Sequence, residues 1–119
     1  MDRGERIHWI CAMLRDSLYE GASFVLFENP ESGRFIQFAL IGRDGLICDV
    51  PLTMLSREEE EKIRALMPET SRDMETGELL SYQRWFDVHE LYSAAELAER
   101  IFTQIFGLPP NYELRCLSG

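Results

Sequence analysis

Two histidines, three cysteines and 21 acidic residues are the groups in this chain that could carry chemistry. His8 falls within a helical pattern and His89 just after a strand. Neither has a second histidine at i+4 or a cysteine at zinc spacing, so both read as structural or surface residues and not as ligands or bases. Cys11, Cys48 and Cys116 are odd in number, form no CxxC pair and stand among apolar neighbours, the usage of buried small hydrophobes in a reducing compartment. No GxSxG, P-loop or GxGxxG sequence is present. The run Glu58 to Glu61 spreads around a helix and cannot converge on one ion; its place is opposite the positive end of the helix dipole. Carboxylate pairing stays open, because Asp49, Asp87 and Glu90 lie on or near strands that a sheet could bring together. No metal, no cofactor and no catalytic residue is expected.

The elements that must position these groups are legible as periodicities. Ile7, Ile10, Cys11, Leu14 and Leu18 mark one face of a first helix, with Arg6, Arg15, Asp16 and Glu20 on the other side and Gly21 at its end. Trp9 and Met13 flank the stripe and give this helix a second apolar edge. Phe24 to Phe27, Arg34 to Ile41 and Leu46 to Val50 read as three strands, joined by Asn29-Pro30-Glu31-Ser32-Gly33 and by Gly42-Arg43-Asp44-Gly45 into an antiparallel meander that stops at Pro51. Ser56 and Glu59 form a capping box for a second helix that Pro68 closes. Glu69 to Glu78 is polar and acidic and reads as a mobile loop.

Leu80, Tyr82, Phe86 and Val88 then alternate with Ser81, Gln83, Trp85 and Asp87 as a fourth strand, in which Arg84 interrupts the apolar face. Ser93 and Glu96 form a second capping box, with Tyr92 and Leu97 at staple positions and Gly107 at the C-terminal cap of a third helix. Tyr112, Leu114 and Cys116 suggest a short last strand by their alternation. The expectation is one α+β domain over 1–119 in the order α-β-β-β-α-β-α-β, an antiparallel sheet packed with helices.

Strands that are apolar on both faces need cover on both sides, and this chain has two strongly amphipathic helices and one weak one. Either the helices sandwich the sheet, or an oligomer or partner covers its second surface. Phe35, Ile47, Trp85 and Trp9 belong at that second surface on this reading, with Arg84 completing a set that has the composition of interface anchors.

At 119 residues the chain suffices for one core and not two. The formal net charge of −9, with no basic run, argues against a nucleic-acid partner. No stretch reaches the length of a membrane span, and Met1 to Arg6 lack the apolar region of a signal peptide, so a cytoplasmic protein is expected.

Several phrases resemble the TY-Chap domains, relatives of the YbjN proteins and of type III secretion chaperones. They are Phe35-Ile36-Gln37-Phe38-Ala39, the Asp44-Gly45-Leu46 turn into a strand ending at Pro51, the Leu55-Ser56 helix start with its acidic run, and Ala94-Ala95-Glu96-Leu97 through Phe106-Gly107-Leu108-Pro109. The resemblance spans residues 5 to 117. It implies a secretion-chaperone-like fold, frequently dimeric, whose sheet and helix surfaces hold an extended client protein, and it carries over no catalytic residue. A non-catalytic, chaperone-like module that binds a client or a second copy (a homodimer) is therefore the leading expectation, with Phe35, Ile47, Arg84, Trp85 and Trp9 as contacts. An acidic immunity or inhibitor protein that blocks a basic toxin or nuclease is the alternative. A small enzyme or ligand-binding domain built on Asp49, Asp87 and His89 is the third.

Overall fold

The computed structural model describes residues 1–119. Asp2 starts the first helix, α1 (Arg3–Tyr19): its carboxylate accepts the Glu5 backbone N–H at 2.8 Å while Glu5 accepts that of Asp2, so two otherwise orphaned donors are satisfied. Gly21, at φ 76°, turns the chain out of α1. The meander follows as β1 (Phe24–Glu28), β2 (Phe35–Ile41) and β3 (Gly45–Pro51). Ser56 and Glu59 cap α2 (Arg57–Leu66) reciprocally, as their spacing predicts.

The segment read as a mobile loop is instead a strand and a turn. β4 (Glu69–Arg72) pairs antiparallel with β5 (Leu79–Asp87), and Asp73 closes the connection by accepting the backbone N–H groups of Glu75 and Thr76. β4 escapes the sequence reading because Glu-Thr-Ser-Arg carries no apolar alternation; backbone pairing alone holds it to the edge. The third helix also starts earlier than its expected box. Asp87 and Glu90 cap a short turn that runs directly into α3 (Leu91–Arg100), so Ser93 and Glu96 lie inside the helix. From Ile101 to Ile105 α3 widens into a π turn, with Phe106 N–H bonded to Ile101 O at 2.9 Å. The wider turn lets Ile101, Phe102, Ile105 and Phe106 all face the core. The last strand, β6 (Arg115–Ser118), lies slightly beyond its expected place, and Tyr112 is buried before it.

The six strands form one antiparallel sheet in the order β4-β5-β3-β2-β1-β6. Val25, Phe27, Ile36, Phe38, Leu40, Leu46, Cys48, Val50, Tyr82 and Phe86 share one face and are buried there under the helices. α1 packs on it through Trp9 against Phe27, with ring centroids 5.7 Å apart; α2 reaches it through Arg64 Nε on the Tyr82 hydroxyl at 3.1 Å. Each fully buried phenylalanine contributes roughly 1.5–3 kcal/mol by leaving water. All three helices lie on this side. The sandwich of helices on both faces is thereby excluded, and the molecule is a two-layer α+β structure.

Arg6, read as a surface residue of α1, is buried. Its guanidinium meets Glu99 Oε1 of α3 at 3.3 Å and donates to the carbonyls of Pro110 at 2.6 Å and Tyr112 at 3.2 Å. It also lies 3.8 Å from the Tyr112 ring centroid. One side chain thus ties α1, α3 and the segment leading to β6 together.

Candidate binding face

Strand alternation puts every second residue on the side without helices, and the register orders them into rows across the sheet. One row is Phe24, Ala39, Ile47 and Trp85, each opposite the next. The neighbouring row runs Leu117, Leu26, Gln37, Asp49 and Gln83. Beyond it lie Phe35, Pro51 and Ser81, with Glu28 and Arg115 at the β6 end; Ile41 closes the other side. Trp85 is 43% exposed, Leu117 54% and Phe24 37%, so each of these large apolar side chains keeps a substantial part of its surface in water. At about 4.8 Å per strand and 3.3 Å per residue, the face measures about 25 by 20 Å. That is the scale of one side of a standard protein interface, which buries about 800 Å² of accessible surface per partner.

Two glycines fix the aromatic rings at the margins. A Cβ on Gly45 would lie 2.6 and 2.7 Å from Cζ2 and Cη2 of Trp85 and closer still to the Phe86 carbonyl oxygen. The six-membered ring of the indole therefore occupies the space a side chain at position 45 would need. Phe24 likewise lies over Gly119, whose added Cβ would meet the ring at 3.0 Å.

The middle of the face is polar and ordered. Asp49 Oδ2 accepts the Ser81 hydroxyl at 2.8 Å and Gln83 Nε2 at 2.7 Å, and Ser81 itself is buried. The Glu28 carboxylate holds Arg115, whose Nε donates to it at 2.6 Å.

Of the anchors expected from the sequence, Ile47 and Trp85 stand opposite each other here, and Phe35 lies on the same face two rows away, about 13 Å along the strands. Arg84 and Trp9 do not. The parity of β5 turns Arg84 to the helix side, where it lies over the Phe86 ring and donates to Leu66 O at 3.3 Å; Trp9 is packed under α1. Phe24, Leu26, Ile41 and Leu117 join Phe35, Ile47 and Trp85 on the face, and a two-residue spacing within β1, β2 and β6 is the signal available for these four.

The catalytic alternatives find no constellation. Asp87 pairs with Gly45, four residues along β3 from Asp49, which separates the two carboxylates by about 13 Å, beyond the reach of a working acid/base pair. Asp87 and Glu90 serve as caps: Asp87 accepts the His89 backbone N–H, and Glu90 accepts that of Asp87. His8 stacks edge-on with Tyr92 at 6.0 Å. Burial pushes the thiols of Cys48, Cys11 and Cys116 above the ordinary cysteine value, away from nucleophilic chemistry. No three His, Cys, Asp or Glu side chains converge as metal ligands, and Glu59 and Glu60 are engaged by Arg34 and by Arg64 with Tyr82. A cavity of about 330 Å³ at the end of α1, between Arg15, Tyr19, Arg43 and Leu91, contains no carboxylate, imidazole or thiol.

Fold and face together define a two-layer α+β protein with an open, amphipathic antiparallel sheet. No protein-family model, curated protein or solved structure matches the chain. The likeness to the TY-Chap domains accordingly rests on the sequence phrases given above. No helix is long and apolar enough to cross a membrane.

Proposed function

We propose that this chain is a non-catalytic, chaperone-like protein-binding module that holds a partner on the open face of its sheet. The observation that carries the reading is the one-sided placement of the helices. It leaves Phe24, Trp85 and Leu117 exposed and Ile47 half-buried on a face that no helix covers, while the opposite face of β1, β2 and β3 is packed into the core. An exposed apolar surface of this extent, ordered and interrupted by satisfied polar groups, has the make-up of an interface. The expected client-binding role and the expected homodimer would both use it. The inhibitor reading is favoured by one further feature, the carboxylate of Asp49 at the middle of the face in a chain of net charge −9.

A photo-crosslinking amino acid placed at Ile47 tests this in the cells of origin. The expected result is a discrete protein adduct that Trp85→Asp abolishes and that the same group placed at Glu61, on the helix side, does not give. Equal adduct patterns from both positions, or none from position 47, would overturn the reading.

A further inference from the structure

We infer that the occupant of the open face is a basic protein, and that one of its arginine or lysine side chains seats on Asp49 while apolar side chains cover the rows on either side. This rests on the reading of the face as a docking surface. Asp49 lies on β3, third of the six strands counted from β4, between Ile47 and Pro51 along its own strand. Both of its intramolecular donors, Ser81 Oγ and Gln83 Nε2, bond the same oxygen, Oδ2. The carboxylate is therefore held in one orientation, and Oδ1 accepts no hydrogen bond from the chain. Beside it, across the β2–β3 pairing, stands the amide of Gln37, which makes no side-chain hydrogen bond within the chain either. A partner finds here a carboxylate already oriented by Ser81 and Gln83, so that little ordering entropy opposes contact with it.

Charge decides what that partner carries. Any surface that covers the face takes Asp49 out of water, and a carboxylate covered without a cation is strongly disfavoured. The face cannot supply one, because Arg115 is its strand-borne cation and is already engaged by Glu28. A second copy placed squarely on the face would bring two Asp49 carboxylates together with no free cation between them. A partner that presents a guanidinium or ammonium group within an apolar surround satisfies Oδ1 and buries Ile47 and Trp85 at once. The net charge of −9 also steers basic proteins toward this one.

The test titrates the isotope-labelled full chain, followed by backbone amide NMR, with a short capped peptide bearing one arginine among leucines. The same peptide with citrulline, a neutral isostere of arginine, is the comparison. The expected result is binding at least about tenfold tighter for the arginine peptide, with shifts centred on Ile47, Asp49 and Gln83, and loss of that preference in Asp49→Asn with the circular dichroism unchanged. Equal binding of both peptides on the open face overturns the cation seat and leaves the docking face standing. Concentration-dependent dimers in light scattering, with dilution shifts at the same residues, make a second copy the occupant and also overturn the inference. Absence of open-face shifts with either peptide overturns both this inference and the function it rests on.

Discussion

Replacing Arg6 by methionine keeps the aliphatic volume of the side chain and deletes its donors. In the native chain those donors serve Glu99 and the carbonyls of Pro110, Tyr112 and Met1, at a position whose side chain is 3% exposed. Removing one partner of a buried ion pair generally costs 3–5 kcal/mol, because the other charge is left uncompensated. Here Glu99 keeps Arg3, at 3.3 Å and largely exposed, so the low end of the range applies, about 3 kcal/mol. For a chain of this size that is a fall of about 12 °C in Tm. The companion change Glu99→Leu removes the stranded carboxylate. Of the single variant's cost about 2 kcal/mol is the loss of the donor to the Pro110 and Tyr112 carbonyls, about 1 kcal/mol each, which the double variant shares; the double variant should therefore lie about 2 kcal/mol below the native protein, more stable than Arg6→Met alone. Urea unfolding followed by tryptophan fluorescence and circular dichroism measures all three differences. A single variant within 1 kcal/mol of the native protein, or a double variant less stable than the single one, refutes the account of Arg6 and Glu99 as a coupled buried pair.

Burial works to raise the Glu59 carboxyl, but the Ser56 backbone N–H and the Arg34 guanidinium outweigh it and hold it below the usual glutamate range. A group whose folded value is depressed stabilises the protein above its unfolded pKa, about 4.3 for glutamate, and loses that contribution as pH falls through the folded value. The stability difference between the native protein and Glu59→Gln, read from urea midpoints, should be constant above about pH 5 and shrink below about pH 4; a difference independent of pH would count against the pairing. Gly45→Ala sets a methyl against both the Phe86 carbonyl oxygen and the Trp85 ring, so it should shift the β3–β5 backbone, displace the indole at a cost of about 1–3 kcal/mol and red-shift its emission in a Trp9→Phe background. An unshifted emission maximum with full stability would show that the ring does not depend on the missing side chain.

Much of the architecture was legible because burial writes a period into the sequence. The alternation of β2 and β3 showed two apolar faces, and Ser56 with Glu59 announced α2 correctly. β4 was not legible, since an edge strand held by backbone bonds needs no apolar residue. The start of α3 was misplaced because two boxes compete within ten residues, Asp87 with Glu90 and Ser93 with Glu96, and the first is the one formed. Arg6 was assigned to the surface because charge outranks position in a helical pattern; its buried partner Glu99 lies 93 residues away. For the site, Phe35, Ile47 and Trp85 followed from parity within strands. Asp49 was noticed as a carboxylate, but its fixing by Ser81 and Gln83 depends on the β3–β5 register, which no local pattern encodes.

The position of β6 bears on how the chain folds. β1, β2 and β3 are joined by short turns, so their pairings close small loops and form early, whereas the Arg115 to Glu28 contact of β6 with β1 spans 87 residues. Exchange pulse-labelling should therefore protect amides of β2 and β3 before those of Leu117 and Gly119, which face β1, and the reverse order would refute this. During the interval the outer edge of β1 is an unpaired template beside Phe24 and Leu26. The last strand acts as a latch in time: a chain slow to close it exposes to its neighbours the hydrogen-bonding edge that the native fold keeps for itself.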